Sequence, residues 1–137
     1  MTDYTPSPVE WVRNEVEHYE RTGEALDGRS IIVLETTGAR SGSTRKTPLM
    51  RVEHDGSYLV VASKGGAPTH PNWYYNVVAH PRVRLRDGLE VLELTARELS
   101  GDERARWWSR ACTTFAAYAD YQSGLDRIIP ILLLEAL

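Results

Sequence analysis

Three cations, Arg40, Arg45 and Lys46, fall within a stretch that carries no acid, TGARSGSTRKTPL, from Thr37 to Leu49. An arginine fork matches the oxygens of a phosphate or carboxylate in pairs, and a lysine adds a point charge. Gly38 and Gly42 allow the backbone to come close to a ligand. The chemistry on offer is anion binding; the competing reading is a polar hairpin tip in water. The stretch is not a Walker loop, because no GxxxxGK[ST] leads into a helix.

Three further groups could serve a ligand. Ala62-Ser63-Lys64-Gly65-Gly66-Ala67 gathers a hydroxyl, an ammonium and two glycines where an apolar run ends. Backbone N–H groups in such a segment can meet an anion or a polar ring edge, or the segment is an ordinary turn. Asn72-Trp73-Tyr74-Tyr75-Asn76 places two amides at i,i+4 on one helical face beside aromatic rings. That set suits a planar heterocycle, although aromatics on a short helix also build cores. Phe115, Tyr118 and Tyr121 recur every three residues, with Trp107 and Trp108 two turns earlier. A tyrosine beside a pocket can donate a proton in a reduction; such a stripe can equally be packing.

Other chemistries find little support. His18, His54, His70 and His80 form no HExxH pair, no GxSxG elbow is present, and the acids show no paired-carboxylate spacing. The single cysteine, Cys112, excludes an intrachain disulfide framework and a cysteine-based zinc cluster, so no metal site is expected. A formal charge of −3 argues against a general nucleic-acid binder. The N-terminus lacks the basic and apolar regions of a signal peptide, and IIPILLL at 128–134 is too short to span a bilayer. A reduced, cytoplasmic setting fits. At 137 residues, one domain over 1–137 is expected, with 1–28 forming an N-terminal helix and linker.

The elements that must position these groups read as follows. Ser7-Pro8-Val9-Glu10 is a helix-start signature, and Val9, Val12, Val16 and Tyr19 share a face, so a helix is expected over about 8–21 and ended by Gly23. IIVLET, Ile31 to Thr36, is a buried strand. TPLMRVEH and SYLVVAS pair about an Asp55-Gly56 turn, and RVRLRDGLEVLELTAREL folds on Asp87-Gly88. NWYYNVVA, Asn72 to Ala79, is a short helix between them. Ser100-Gly101-Asp102-Glu103 is a second capping box, opening a helix to about Ala119. Arg127 to Glu135 is a last strand that Pro130 bends or places at an edge. Six antiparallel strands with few helices make an α+β domain built on a small barrel or strongly curled sheet. No repeating βαβ pattern points to a Rossmann crevice.

Taken together, LETTGARSGSTRKTPL, VASKGGAPTHPNWYYN, the tyrosine-bearing helix and RIIPILLLE resemble the deazaflavin-dependent nitroreductase family. These are actinobacterial split β-barrel proteins related to the pyridoxamine-phosphate-oxidase-like flavin reductases. The resemblance runs from about Ile31 to Glu135. It implies a six-stranded antiparallel split barrel of the FMN-binding split-barrel type with flanking helices, and coenzyme F420, a deazaflavin with a phosphate and a polyglutamate tail. By resemblance, Ala39, Arg40, Ser41, Arg45, Lys46, Thr47, Pro48, Leu49 and Met50 line the cofactor, with the three cations facing phosphate and tail. Val61, Ala62, Ser63 and Lys64 border the deazaflavin, and Asn72, Trp73, Tyr74, Tyr75 and Asn76 form the next cofactor segment. Tyr118 matches the position of a proton donor or oxyanion stabiliser, and Tyr121 is a second catalytic candidate. Phe115 stands where relatives can carry a third tyrosine.

The implied activity is hydride transfer from the reduced deazaflavin to quinone, nitroaromatic or activated enone acceptors. Rival readings are an F420-sequestering protein without turnover, and a split barrel holding FMN or haem. The partners implied are small-molecule acceptors, without nucleic acid or a transmembrane segment and with peripheral membrane contact left open. The chain would act as a monomer or homodimer. The physiological acceptor, the preferred tail length and the oligomeric state are left open.

Overall fold

The computed structural model describes residues 4–137. Residues 1–3 of the expected N-terminal segment lie outside the described range.

Strand alternation decides where each side chain goes. In β1 (Ile31–Thr37), Ile32 and Leu34 point into one apolar cluster, while Ile31 and Val33 point into another beneath Val16 and Tyr19 of α1 (Glu10–Thr22). A strand covered on both sides must be apolar almost throughout, which is why IIVL is an unbroken run. The same division holds in β4 (Ser57–Val61) and β7 (Ile131–Ala136). Tyr58, Val60, Leu132 and Leu134 join the inner cluster, whereas Leu59, Val61, Ile131 and Leu133 face α3 (Gly101–Thr114) and α4 (Ala117–Ser123). The inner cluster is plugged by Trp73 and Val77, one turn apart on α2 (Asn72–Ala79). Emptying a fully buried position such as Leu34 by Leu34→Ala would cost about 3 kcal/mol.

The remaining strands are β2 (Thr44–Met50), β3 (Val52–His54), β5 (Arg82–Asp87) and β6 (Glu90–Glu98). All pairings are antiparallel, in the order β2-β1-β5-β6-β7-β4-β3. The two ends of that order, β2 and β3, are consecutive in the chain and separated only by Arg51. One run of backbone therefore pairs with both edges, and the sheet must curl round on itself. This is the α+β split barrel with flanking helices expected from the sequence. The expected six strands become seven because the run TPLMRVEH breaks at Arg51.

Local expectations met mixed outcomes. Asp55 and Gly56 both have positive φ, 52° and 82°, as a type I′ turn requires. The second hairpin turns instead on Gly88-Leu89, with Gly88 at φ 63°; Asp87 stays in β5 opposite Glu90. Helix α1 ends at Gly23 as expected but starts at Glu10, with Ser7 Oγ accepting from Val9 N–H just before it. The second capping box does not form with side chains, because Glu103 is taken by Arg97 at 2.7 Å and 3.0 Å. The long helix breaks at Phe115, whose extended φ of −143° ends α3. Pro130 precedes β7, which lies between β6 and β4 rather than at an edge.

Candidate functional site

The loop between β1 and β2 is shaped by its own backbone. Gly38 N–H donates to Ser43 O at 2.7 Å, Gly42 N–H to Gly38 O at 3.0 Å, and Ser43 N–H to Ser41 Oγ at 3.1 Å. Gly42 sits at φ 72°, and a Cβ on Gly38 would lie 2.6 Å from Ser41 Oγ, so both glycines are required. Asn76 of α2 holds the loop from the other side. Its Oδ1 accepts from Ala39 N–H at 2.9 Å and its Nδ2 donates to Thr36 Oγ1 at 3.2 Å.

Loop, β2, α2 and the approach to α1 enclose a cavity of about 680 Å³. Gly38, Ala39, Arg40, Ser41, Arg45, Lys46, Thr47, Asn72, Trp73, Tyr75 and Asn76 line it, joined by Ser7, Pro8, Val9 and Val12. Eleven of these fifteen come from the two separated motifs and the loop that carries Gly38, so the fold brings those segments together around one space. The guanidinium groups of Arg40 and Arg45 make no hydrogen bond or ion pair with any described residue. Lys46 differs. Its Nζ donates to Glu20 at 2.7 Å and 3.0 Å, lies 3.7 Å from Glu35, and sits 4.3 Å from the centre of the Tyr4 ring. The loop's charge is therefore opposed at one of its three cations. Glu35 is in turn approached by Arg86 at 3.3 Å and Arg84 at 3.8 Å. Only the stem of Lys46 is free to border the cavity.

Other candidates are committed to the barrel wall. Pro48 pairs with Val33, Leu49 packs on the inner cluster, and Met50 fills the space between the two outer clusters. Val61 and Ala62 are buried, and Ala62 N–H donates to Pro130 O at 2.9 Å. The Tyr74 hydroxyl donates a hydrogen bond to Glu98 Oε1 at 2.6 Å; that bond first, then burial, pushes its pKa up to about 12.

Beyond Ala62 the chain enters a tight turn. Ser63 is right-handed (φ −77°, ψ −35°), and Lys64, Gly65 and Gly66 follow with φ of 50°, 62° and 85°. Lys64 is a rare left-handed non-glycine residue. A right-handed residue followed by a left-handed one makes consecutive N–H groups converge into an anion-binding nest. Here those groups belong to Ser63, Lys64 and Gly65, and none donates to a described backbone carbonyl. The Lys64 ammonium bonds Thr69 Oγ1 at 3.3 Å.

Tyr118 and Tyr121 belong to α4, which packs against this turn. They do not line the 680 Å³ cavity. Tyr121 covers Gly66, where a Cβ would lie 3.1 Å from its ring. Tyr118 is 5 % exposed, packed among Phe115, Trp108 and Tyr121 with ring centres 5.0, 6.4 and 6.5 Å away. Its hydroxyl makes no hydrogen bond with a described residue. Burial first, then the neighbouring Tyr121 and Cys112, holds its pKa well above the usual phenol range, so it keeps its proton. The ring is buried but its oxygen is not sealed off, and a protonated hydroxyl without a described acceptor can donate to a bound molecule. Burial likewise raises the Cys112 thiol, which makes it a poor nucleophile.

Sequence reasoning missed Glu20, Glu35, Gln122 and Arg127. The acids oppose Lys46; Gln122 and Arg127 brace the turn at Ser63. Among the described residues, no three or more His, Cys, Asp or Glu side chains are grouped to hold a metal ion. No helix among them is long and apolar enough to cross a membrane.

Comparison with known proteins bears on the same segments. A family model described as F420H(2)-dependent quinone reductase matches residues 11–136. An F420H(2)-dependent quinone reductase of Mycobacterium tuberculosis is 37 % identical over 118 residues, covering 83 % of this chain and 79 % of that protein. A solved F420-H2 dependent reductase (FDR-A) is 53 % identical, with a TM-score of 0.74 over 78 % of this chain and 95 % of its own. A second solved relative, described as a domain-swapped dimer, is 48 % identical, with a TM-score of 0.76 over 94 % and 100 % of the two chains.

Proposed function

This chain belongs to the F420H(2)-dependent quinone reductase family, and we propose that it reduces quinone, nitroaromatic or activated enone acceptors with coenzyme F420. One observation carries the reading: Arg40 and Arg45, whose side chains bond no described residue, border a cavity of about 680 Å³ also lined by Trp73 and Tyr75. Guanidiniums without a described partner, in a chain of net charge −3, fit a ligand that brings a phosphate and several carboxylates.

The chemistry of the remaining residues supports the fit. Arg40 and Arg45 hold the phosphate and tail carboxylates through charge-assisted bonds. Ala39, Ser41 and Thr47 shape the wall between them, and Asn76 keeps Ala39 in place. Asn72, Trp73 and Tyr75 flank the bound molecule, and Pro48, Leu49 and Met50 form the strand beneath it. The nest at Ser63, Lys64 and Gly65, with the Ser63 hydroxyl, would offer donors to a polar edge of the ring system. Val61, Ala62 and Tyr74 act from behind, as the packed support of that turn. When bound in its reduced form, the cofactor supplies a hydride to the acceptor. Tyr118 donates its hydroxyl proton to the acceptor oxygen as charge develops there. Tyr121 walls the acceptor's side of the turn. All of this takes place within one domain over 1–137. A cytoplasmic location and a monomer or homodimer complete the proposal, the latter in keeping with the dimeric relative.

The test is direct. Purified protein is mixed with reduced F420 and menadione, and reoxidation is followed at the cofactor's visible band. Accelerated reoxidation is expected. Micromolar binding without acceleration for any quinone, enone or nitro compound would mean a sequestering protein, and binding of FMN but not F420 would overturn the reading.

A further inference from the structure

Arg127 lies between α4 and β7, outside the motifs that line the cavity. Its guanidinium reaches four acceptors on one loop. Nε donates to Ala67 O at 3.0 Å, Nη1 to Ala62 O at 3.2 Å and to His70 Nδ1 at 2.9 Å, and Nη2 to Ser63 O at 2.9 Å. These acceptors flank the nest on both sides. A guanidinium has donors only, so His70 Nδ1 is the acceptor and the ring proton sits on Nε2. The arginine is itself anchored. Gln122 Nε2 donates to Arg127 O at 2.9 Å, and Gln122 Oε1 accepts from Ile129 N–H at 2.8 Å. Gln122 follows Tyr121, the residue that covers Gly66.

Three successive residues at positive φ, one of them a lysine, form a conformation that a free loop would leave. The turn's own bonds, Gly66 N–H to Ser63 O at 3.0 Å and Ala67 N–H to Lys64 O at 3.1 Å, are local, and no described side chain other than Arg127 bonds the carbonyls of Ala62, Ser63 and Ala67. We propose that Arg127 is a positioning residue. It holds the 62–70 loop in the nest conformation and, through Gln122, ties that loop to α4, so the nest and Tyr118 keep a fixed relation. The inference rests on the functional reading only in taking this loop to face the cofactor.

The experiment combines hydrogen exchange of the cofactor-free full chain with fluorescence titration of F420. In Arg127→Met, amides of 62–70 should exchange about tenfold faster or more, while β1 and β5 keep their protection. Affinity for F420 should fall by about tenfold. Arg127→Lys should lie between, because an ammonium cannot reach all four acceptors. If the arginine variants fold poorly, His70 provides a second route. His70→Asn, which keeps an acceptor, should preserve the loop's protection, and His70→Leu should lose part of it. Unchanged exchange in these variants, or exchange rising equally in β1 and β5, overturns the proposal. Wild-type protein that fails to bind F420 would overturn the functional reading instead, since the exchange measurement needs no cofactor.

Discussion

Arg45 and Lys46 are adjacent in β2, and strand alternation sends them to opposite faces. Lys46 enters a cluster in which every charge is answered: Glu20, Glu35, Arg84 and Arg86 surround it within 4 Å contacts of one another. Arg45 enters the cavity and meets no described partner. The same contrast recurs elsewhere. Asp87 likewise accepts from Arg51 at 3.0 Å and from Tyr58 at 2.6 Å, while the Tyr118 hydroxyl bonds no described residue. Polar groups saturated by the protein stabilise the fold; those left unsaturated are available to a ligand. Each kind should fail differently when removed.

The largest effect on stability is expected on the saturated side. Lys46→Met removes the ammonium shared by two carboxylates, leaves them to Arg84 and Arg86 alone, and should lower stability by about 2 kcal/mol, read from urea unfolding. F420 affinity should change far less than stability. A variant that unfolds normally but binds poorly would break the comparison. Tyr118→Phe should do the reverse. Turnover of menadione should fall roughly 100-fold, with the urea midpoint unmoved, because no protein hydrogen bond is lost. Next, Arg40→Ala combined with Arg45→Ala should weaken F420 binding about 30-fold without destabilising the fold. The loss should shrink as ionic strength rises, since the contact is between charges. Equal affinity in the double variant would reduce the loop to a solvated tip.

The smallest effect concerns Asp87. Burial alone would raise its pKa, but the hydrogen bonds from Arg51 and Tyr58 outweigh burial and hold it below the ordinary 3.8. A depressed folded pKa means that its stabilisation is present above 3.8 and is lost as pH falls through the folded value. Asp87→Asn should cost about 1 kcal/mol at neutral pH and flatten that acid limb of stability, measured by thermal unfolding between neutral and strongly acid buffer.

What could be read from the sequence followed from local rules. Asp55-Gly56, the alternation of Val83 and Leu85 with arginines in β5, and the Gly23 stop depend on residues a few positions apart, and the curled sheet follows from such local signals. The loop and α2 motifs, read separately along the chain, border one cavity in the fold. The rest depends on distance along the chain. Lys46 meets Glu20 from 26 residues away, and Arg127 reaches Ser63 across 64. No spacing rule links such pairs. The break at Phe115 was hidden for a related reason. The i,i+3 aromatic pattern continues across it, yet the rings pack edge-to-face through a kink rather than down one helix. Asp87 looked like a turn residue because Asp-Gly favours turns; its two hydrogen-bond donors keep it in the strand.

The place of β7 has a kinetic consequence. It pairs with β6 on one side and β4 on the other, so without it the sheet is two pieces hinged at Arg51. During synthesis, β4 and β6 emerge from the ribosome with open edges, and their shared partner comes last. Closure waits on pairings such as Tyr58 with Leu134, far apart in sequence. Assembly of this kind is slow and exposes apolar edges while it waits. Nascent chains stalled before Ile131 should therefore be chaperone clients and aggregate readily, a vulnerability set by strand order alone.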